Sequence, residues 1–266
     1  MSHAAESTAS PSSTTSARTR ARQFYQEGYA EEVVYDKPTI QKLSHRRNRL
    51  GQVSRRISPG LVVLDVGAGP GGLLSLVAER SKSYLALDLS MPNLRSVVAQ
   101  EVTGTNILAA QIDLNEGALP LRSASFDIVV CVVVMEFIFA PEALMAEMVR
   151  VVKPGGSLIV TVGNIVSLRN RIRALRGVSP RTTQFRNVTN GGALHTFSVS
   201  DLVGLARDCD LSIREISCSG RWSQFRSKWV NLLGDDIIIV AEKSIYSDLF
   251  TNVSADLRPL DISPQG

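Results

Sequence analysis

Short apolar runs alternate with amphipathic stretches through the middle of the chain. The runs are almost continuously apolar, which is typical of strands buried on both faces of a parallel sheet. They predict five strands at residues 61–66, 84–88, 107–112, 126–133 and 157–162. Two later runs, 211–218 and 236–242, are joined by a loop without a good crossover helix, so we expect an antiparallel pair at the sheet edge. The pattern predicts a doubly wound α/β fold with a seven-stranded, mostly parallel sheet.

Turn and capping residues mark the helices between these strands. Ser90 followed by Pro92 predicts a helix start, because serine accepts from free backbone N–H groups and proline is tolerated in the first turn. Pro141 predicts the start of another helix, which should end at the breaker cluster 153–156, Lys-Pro-Gly-Gly.

Composition divides the chain into one domain with two tails. Residues 1–23 are mostly Ser, Thr, Ala and Arg, and we expect a disordered arm, with an organelle transit peptide as the less favoured interpretation. Residues 246–266 resemble this arm. The domain spans 24–245, with helices at 24–58 that expose Arg46, Arg47 and Arg49, and with a polar, basic insertion at 163–199.

Bulk properties exclude several classes of protein. The longest strongly apolar run has eight residues, 128–135, whereas a membrane-spanning helix needs about 20. The three cysteines are an odd number without metal-ligand spacing, which favours a reducing, cytoplasmic location. No pair of histidines has metal-ligand spacing either, so we expect no metal site.

A glycine-rich loop follows the first strand, in the sequence Leu-Asp-Val-Gly-Ala-Gly-Pro-Gly-Gly at 64–72. Glycines there let the backbone turn tightly and approach a ligand closely. The loop also satisfies the dinucleotide fingerprint GxGxxG, so taken alone it leaves a nicotinamide-dependent oxidoreductase open. Asp65, Asp88 and Asp113, at or after three successive strands, favour a ligand with amino acid, ribose and adenine parts.

These features resemble class I S-adenosylmethionine-dependent methyltransferases over residues 60–163. The resemblance includes the 64–72 loop, the segments Leu-Pro-Leu at 119–121 and Ser-Phe-Asp at 125–127, and the Val-Lys-Pro-Gly-Gly turn at 152–156. The chain is most similar to the small-molecule branch that includes quinone-biosynthesis and MetW-like enzymes. This resemblance implies S-adenosyl-L-methionine as cofactor.

The resemblance also implies which residues surround the cofactor. Those expected near its methionine part are Asp65, Gly67, Ala68, Gly69 and Gly71. Those expected near its ribose and adenine are Asp88, Leu89, Asp113 and Leu114, and Val133 is expected beneath it.

The candidate catalytic residues are Glu136 and His195. The family often has Leu-Glu-His after the fourth strand, but this chain has Met-Glu-Phe, so Phe137 replaces a histidine that sometimes serves as a base. Glu136 could bind substrate or accept a proton, or it could cap nearby amides. His195 could deprotonate a substrate or be an ordinary loop residue.

The 163–199 segment is expected to form a lid over the substrate cleft. No Asp or Glu occurs between Met148 and Asp201, whereas six arginines lie between Arg169 and Arg186. A positive lid suggests an anionic or polar acceptor, with Arg173 and His195 as candidate substrate-binding residues. Solvated helix faces are the alternative for most of these arginines.

The expected partner is a small-molecule or lipid-like substrate. The basic segment has only Phe185 and Phe197 as aromatic residues, a poor stacking platform, so nucleic acid is disfavoured. Peripheral membrane contact is compatible with a basic amphipathic helix, and we expect a monomer or homodimer. A methyltransferase-like binding subunit without chemistry is the non-enzyme alternative.

Overall fold

The computed structural model describes residues 37–45, 48–100, 102–180, 193–220 and 222–245. The predicted disordered arm, residues 24–36, the middle of the predicted lid at 181–192 and the C-terminal tail lie outside these residues. Arg46 and Arg47 also lie outside the described residues. The division into domain, arm and tail therefore stays a prediction.

The strands follow one another along the chain as the apolar pattern predicts, and helices separate most of them. The strands are β1 Val62–Val66, β2 Ser83–Asp88, β3 Asn106–Gln111, β4 Phe126–Val132, β5 Val152–Gly163, β6 Leu211–Ser217 and β7 Asp236–Lys243. The helices are α1 Lys37–Ser44, α2 Arg49–Ser54, α3 Leu74–Val77, α4 Met91–Val98, α5 Pro141–Val151, α6 Leu168–Leu175, α7 Val199–Asp208, α8 Ser223–Arg226 and α9 Val230–Leu233. Short 3-10 turns occupy Ala78–Arg80, Met135–Phe137 and Ser227–Trp229.

All seven strands form one sheet in the order β3-β2-β1-β4-β5-β7-β6. Strands β1 to β5 are parallel, and β7 is antiparallel to both β5 and β6. This confirms the predicted doubly wound sheet with its antiparallel edge. The connection between β6 and β7, expected as a loop, contains α8 and α9.

Each face of the sheet carries its own apolar core. Leu64 and Val66 of β1 face a core that includes α5 and α7, whereas Val63 faces a core that includes α3 and α4. Since successive strand residues point to opposite faces, Asp65 shares the face of Val63. This parity buries the Asp65 carboxyl below the glycine-rich loop.

The predicted cap of α4 is confirmed, because the Ser90 side chain accepts from the Asn93 N–H and Pro92 lies in the first turn. Strand β5, in contrast, begins five residues before the predicted start at Ser157. Val152 already pairs with Phe126, and the register then shifts across the Pro-Gly-Gly segment. A Cβ on Gly156 would lie 2.8 Å from the Asp127 carbonyl oxygen, so only glycine fits this close approach.

The prediction that Arg49 lies on an exposed face is wrong. Its side chain is 14% exposed, and its Nε lies 2.9 Å from Oδ2 of Asp236, the first residue of β7. The partners are 187 residues apart, so sequence periodicity gave no sign of this ion pair. Among the described residues, no helix has the length and apolar character needed to cross a membrane.

Candidate functional site

A cavity of about 420 Å³ opens at the carboxyl ends of β1, β2, β3 and β4. The order of strands reverses beside β1, because β2 and β3 lie on one side of β1 and β4 and β5 lie on the other. In open α/β sheets, such a switch point forms a crevice that binds ligands. The described lining residues are Leu43, Asn48, Arg49, Leu50, Gly67, Gly69, Asp88, Leu89, Ser90, Asn93, Ile112, Asp113, Leu114, Asn115, Val132, Val133, Val134, Phe137 and Ile138. Seven of the residues expected at the cofactor therefore meet in one cavity.

Gly67 and Gly69 have different reasons for being glycine. Both have positive φ, +74° and +55°, which side chains other than glycine rarely adopt. A Cβ on Gly67 would overlap the Val134 side chain, whereas a Cβ on Gly69 would meet nothing within 4 Å. Gly67 is therefore needed for packing of the loop against the end of β4, and Gly69 leaves open space beside the cavity.

Asp88 fastens the glycine-rich loop to the end of β2. Its Oδ2 accepts from the Gly69 N–H at 2.8 Å, and its Oδ1 accepts from the Ser90 N–H at 2.8 Å and from Asn93 Nδ2 at 3.2 Å. A carboxylate offers about four acceptor positions, so these three bonds leave roughly one for a ligand hydroxyl. For Asp88 to accept from both hydroxyls of a ribose, one of these three hydrogen bonds would have to be exchanged.

We expect Asp88→Ala to lower the affinity for S-adenosylhomocysteine at least tenfold. The substitution removes the expected ligand contact and also the acceptor that fixes the Gly69 amide, and hydrogen bonds to charged groups contribute about 1.5–3 kcal/mol each. Isothermal titration calorimetry measures the affinity. The control is Asp88→Asn, which keeps one acceptor oxygen and should lose less. A folded Asp88→Ala protein with unchanged affinity would contradict this assignment.

The side of the cavity where adenine is expected is formed by the ends of β2 and β3. Leu89, Asp113 and Leu114 line it, and Asp113 Oδ1 accepts from the Asn115 N–H at 3.0 Å. Val133, at the end of β4, has φ +58°, an outlier for a β-branched residue. Its N–H donates to the Thr161 carbonyl, which helps to hold the strained turn at the cavity wall.

Three residues expected at the cofactor do not line the cavity. Asp65 is 2% exposed and accepts from the Tyr84 hydroxyl inside the α3–α4 core. Burial raises the pKa of the Asp65 carboxyl to about 7. The hydrogen bond from Tyr84 lowers this pKa, whereas the charge of nearby Asp88 raises it further. Ala68 packs against the same core, and Gly71 abuts Gln100 of the segment after α4. Their contact with cofactor stays a prediction.

Glu136 is buried in the 3-10 turn after β4 and does not line the cavity. Its Oε1 accepts from the Gly163 N–H at 2.7 Å, and its Oε2 has no partner among the described residues. Burial raises its pKa, opposed by the Gly163 hydrogen bond and by the charge of Arg49. These contacts are those of a side chain that fixes the end of β5, and the catalytic role stays a prediction.

Two substitutions of Glu136 test its structural role at the end of β5. Glu136→Gln keeps an acceptor for Gly163 and the neutral form that burial favours, so we expect the melting temperature to stay near wild type. Glu136→Ala leaves the Gly163 N–H buried without an acceptor, which costs about 1–3 kcal/mol of unfolding free energy. Chemical denaturation of both variants measures the difference. Equal stability of the two variants would contradict the structural role.

The described part of the 163–199 segment lies outside the cavity lining. The N–H groups of Leu194 and His195 donate to the Glu136 carbonyl at 2.7 and 3.0 Å, which brings His195 beside the turn after β4. Arg173 is on α6, where its Nε donates to the Ser179 carbonyl at 3.2 Å. The structure does not bring Arg173 together with the cavity residues, and its role as a substrate ligand stays a prediction.

Helix α6 exposes its apolar side chains. Leu168, Ile172 and Leu175 are 42%, 39% and 88% exposed, on a helix that contacts α9. Trp222, Phe225 and Trp229, around α8, are also exposed. Contact of α6 with an anionic membrane stays a prediction.

The sequence did not predict that the N-terminal helices form a wall of the cavity. Leu43, Asn48, Arg49 and Leu50 line the cavity from α1 and α2. Asn48 is the N-cap of α2, since its side chain accepts from the Leu50 N–H at 2.9 Å. A capping residue after a basic cluster was the available signal, but it predicts a helix start and carries no information on what the helix faces.

The chain is similar to known methyltransferases. A family model described as a methyltransferase domain matches residues 64–160. Similar relatives include a malonyl-acyl-carrier-protein O-methyltransferase from Marinomonas sp. strain MWYL1, 29% identical over 53% of this chain and 52% of the relative. A ubiquinone biosynthesis O-methyltransferase from Xylella fastidiosa strain M23 is 34% identical over 47% of this chain and 52% of the relative. The chain thus spans about half the length of these curated relatives.

Solved structures share the fold at low identity. A SAM-dependent methyltransferase from Thermotoga maritima has a TM-score of 0.55 at 18% identity, over 85% of this chain and 99% of that one. The cyclase SpnF also has a TM-score of 0.55, at 16% identity, over 80% of this chain and 83% of its own. Residues 64–160 therefore match a methyltransferase domain, and S-adenosylmethionine-dependent methyltransferases of known structure share the fold of this chain. S-adenosylmethionine is the cofactor of this class, which favours a methyltransferase over a nicotinamide-dependent oxidoreductase.

Proposed function

We propose that this protein transfers a methyl group from S-adenosylmethionine to a small-molecule acceptor bound in the cavity described above. The observation that carries the proposal is the open space at Gly69, next to Asp88 and with Asp113 on the same cavity lining. A backbone without a Cβ, a carboxylate at the end of β2 and a second one after β3 fit the amino acid, ribose and adenine parts of the cofactor. The names of the curated relatives support a small-molecule acceptor.

The residues of the chain would hold and orient the two reactants. Gly67 and Gly69 would let the backbone lie against the amino acid part, Asp88 would accept from ribose, and Asp113 would accept from the adenine amino group. When bound, S-adenosylmethionine supplies a methyl group on a sulfonium, which is already activated for transfer. Holding reactants in line can contribute about 7–11 kcal/mol, so positioning would carry most of the rate enhancement.

The cavity supports an acceptor that is already ionised. None of the described residues that line the cavity is a histidine. Phe137 stands at the position where the methyltransferase family that this chain resembles often has a histidine. A carboxylate or phenolate oxygen needs no general base. We therefore propose that the acceptor is anionic and not a neutral alcohol.

Calorimetric titration with S-adenosylmethionine, S-adenosylhomocysteine and NADH tests the cofactor. We expect both adenosyl compounds to bind in the micromolar range and NADH not to bind. Preferential binding of NADH would contradict the proposal and support the oxidoreductase alternative.

A binding subunit without chemistry is the second candidate, favoured by Phe137 and by the occurrence of this fold in a cyclase. Release of S-adenosylhomocysteine during incubation with a panel of small carboxylic acids and phenols separates the two. Cofactor binding without release across the panel would support the binding subunit.

A further inference from the structure

A second concave site, the α2–α8 groove, lies outside the cavity described above. It is formed by α2, the end of β6 and the segment around α8, and its volume is about 880 Å³. None of the described residues that line this groove also lines the cavity. Helix α2 is shared as a wall, with Leu50 lining the cavity and Gln52 lining the groove. The volume is within the range of sites that bind small molecules.

Two large aromatic side chains belong to the wall of the groove at α8. Trp222 and Phe225 are 63% and 66% exposed, and their ring centroids lie 6.2 Å apart with 53° between the ring planes. Trp222 has φ +64°, a conformation that is strained for a bulky residue and persists only where the surrounding structure imposes it. The backbone therefore holds an indole in water, although its burial would be favourable.

Polar contacts fix the segment that carries these rings. Before it, the Ser219 N–H and hydroxyl both donate to the Asp236 carboxylate at the start of β7. Within it, Arg226 Nη2 lies 2.7 Å from Asp235 Oδ2. Apolar surface that is exposed on a firmly held segment loses little conformational entropy when a ligand covers it, which favours binding.

The wall formed by α2 supplies positive charge. Arg55 is exposed, and its Nη nitrogens donate to the Gly51 and Ser44 carbonyls at 2.7 and 2.6 Å. These contacts use two of the five N–H donors of a guanidinium, and no carboxylate among the described residues pairs with Arg55. Arg56, in contrast, is paired with Glu215, the one acidic residue among the described residues of the groove. The positive charge of Arg55 is therefore left for a ligand.

Hydrogen bonds between the walls keep the groove in shape. Gln52 Nε2 donates to Ser223 Oγ at 3.1 Å and so joins α2 to α8. Arg56 Nη2 donates to Ser217 Oγ at 2.9 Å and so joins the end of α2 to β6. A groove with linked walls is formed before a ligand arrives, which lowers the cost of binding.

The two walls together define the chemistry of a ligand. Aromatic side chains stack on flat apolar rings, and a guanidinium binds an oxyanion. We propose that the α2–α8 groove binds a small organic anion with a flat aromatic body, such as an aromatic carboxylate. The site goes beyond the proposed function, because its residues take no part in the cavity and its ligand binds whether or not the cofactor is bound.

The probes 2-naphthoate and 2-naphthamide share a flat bicyclic body and differ in charge. Each is titrated by calorimetry into the full chain, with and without S-adenosylhomocysteine. We expect wild type to bind naphthoate about fivefold more tightly than naphthamide, the preference that an exposed ion pair can supply. We expect the naphthoate affinity to be the same with and without S-adenosylhomocysteine.

The two tryptophans of the chain provide a matched pair of variants. Trp229 is 66% exposed, as Trp222 nearly is, but it does not line the groove. We expect Trp222→Ala to lose at least fivefold in affinity for both probes, since stacking does not depend on charge, and Trp229→Ala to bind both like wild type. In Trp229→Phe, Trp222 is the only tryptophan, and naphthoate should quench its emission.

A second pair of variants tests the charge. We expect Arg55→Gln to bind naphthoate as weakly as naphthamide, with naphthamide affinity unchanged, and Arg55→Lys to keep a preference for naphthoate. Arg207→Gln changes an exposed arginine of α7 outside both sites and should behave like wild type. Thermal unfolding verifies the fold of each variant. Arg55→Lys and Trp222→Ala keep the test valid if Arg55→Gln does not fold.

Several outcomes would overturn the proposal. One is equal naphthoate affinity of wild type and folded Trp222→Ala, and another is no naphthoate binding by wild type at millimolar concentration. Displacement of naphthoate by S-adenosylhomocysteine would place the probe in the cavity instead. A wild-type dimer in sedimentation velocity that Trp222→Ala converts to a monomer would show that the groove is covered by a second copy of the chain.

Discussion

Gly69→Ala is expected to leave the fold intact and to lower the affinity for S-adenosylhomocysteine about ten- to a hundredfold. The new methyl group meets no protein atom within 4 Å, but it enters the space beside the cavity where the proposed cofactor lies. Overpacking by a methyl group typically costs about 1–3 kcal/mol. The positive φ of Gly69 adds strain, which should appear as a modest fall in melting temperature.

Gly67→Ala is the matched contrast, two residues away in the same loop. Its methyl group would overlap Val134 and its φ is also positive, so we expect a loss of about 2–4 kcal/mol in unfolding free energy. Thermal and chemical unfolding together with calorimetric titration separate the two effects. Wild-type affinity in a folded Gly69→Ala protein would show that the cofactor does not approach this backbone.

The largest expected effect of pH on stability comes from Asp65. Burial raises its pKa from 3.8 to about 7, so between these values the folded state binds more protons than the unfolded state. The contribution of Asp65 to stability is then largest below about pH 4 and is lost as the pH rises to about 7. A pKa change from 3.8 to about 7 corresponds to roughly 4 kcal/mol between the two ends of this range.

Asp65→Asn removes this titration. We expect the variant to have a flatter dependence of unfolding free energy on pH and to be more stable than wild type at pH 8, as measured by urea denaturation from pH 4 to 8. Tyr84→Phe is the opposite control: it removes the hydrogen bond that lowers the Asp65 pKa, so stability at pH 8 should fall further. Parallel pH profiles for wild type and Asp65→Asn would refute the assignment.

Local signals in the sequence were sufficient for most of the framework. Continuous apolar runs predicted the strands, and the Ser90 cap predicted α4, because both depend on neighbouring residues. The position of β7 between β5 and β6 depends on pairing across long stretches of chain, and no local pattern encodes it. The early start of β5 depends likewise on a register shift against β4.

Of the residues in the candidate site, some could likewise be placed from local sequence and others could not. Gly67, Gly69, Asp88 and Asp113 could be placed at one cavity because the carboxyl ends of parallel strands meet there. Arg49 could not, since its orientation depends on Asp236, far along the chain. Asp65 lies on a strand that the sequence predicts to be buried on both faces, but its hydrogen-bond partner Tyr84 on the next strand followed only from the strand register.

Both tryptophans of the chain, Trp222 and Trp229, lie around α8 and are 63% and 66% exposed. Intrinsic fluorescence of the folded protein should thus already have the red-shifted emission of indole in water. Denaturation should change the emission maximum little, so fluorescence is a poor probe of global unfolding in this protein. The same signal should respond selectively to events at this surface, with a blue shift when an apolar phase covers it and efficient quenching by iodide when nothing does.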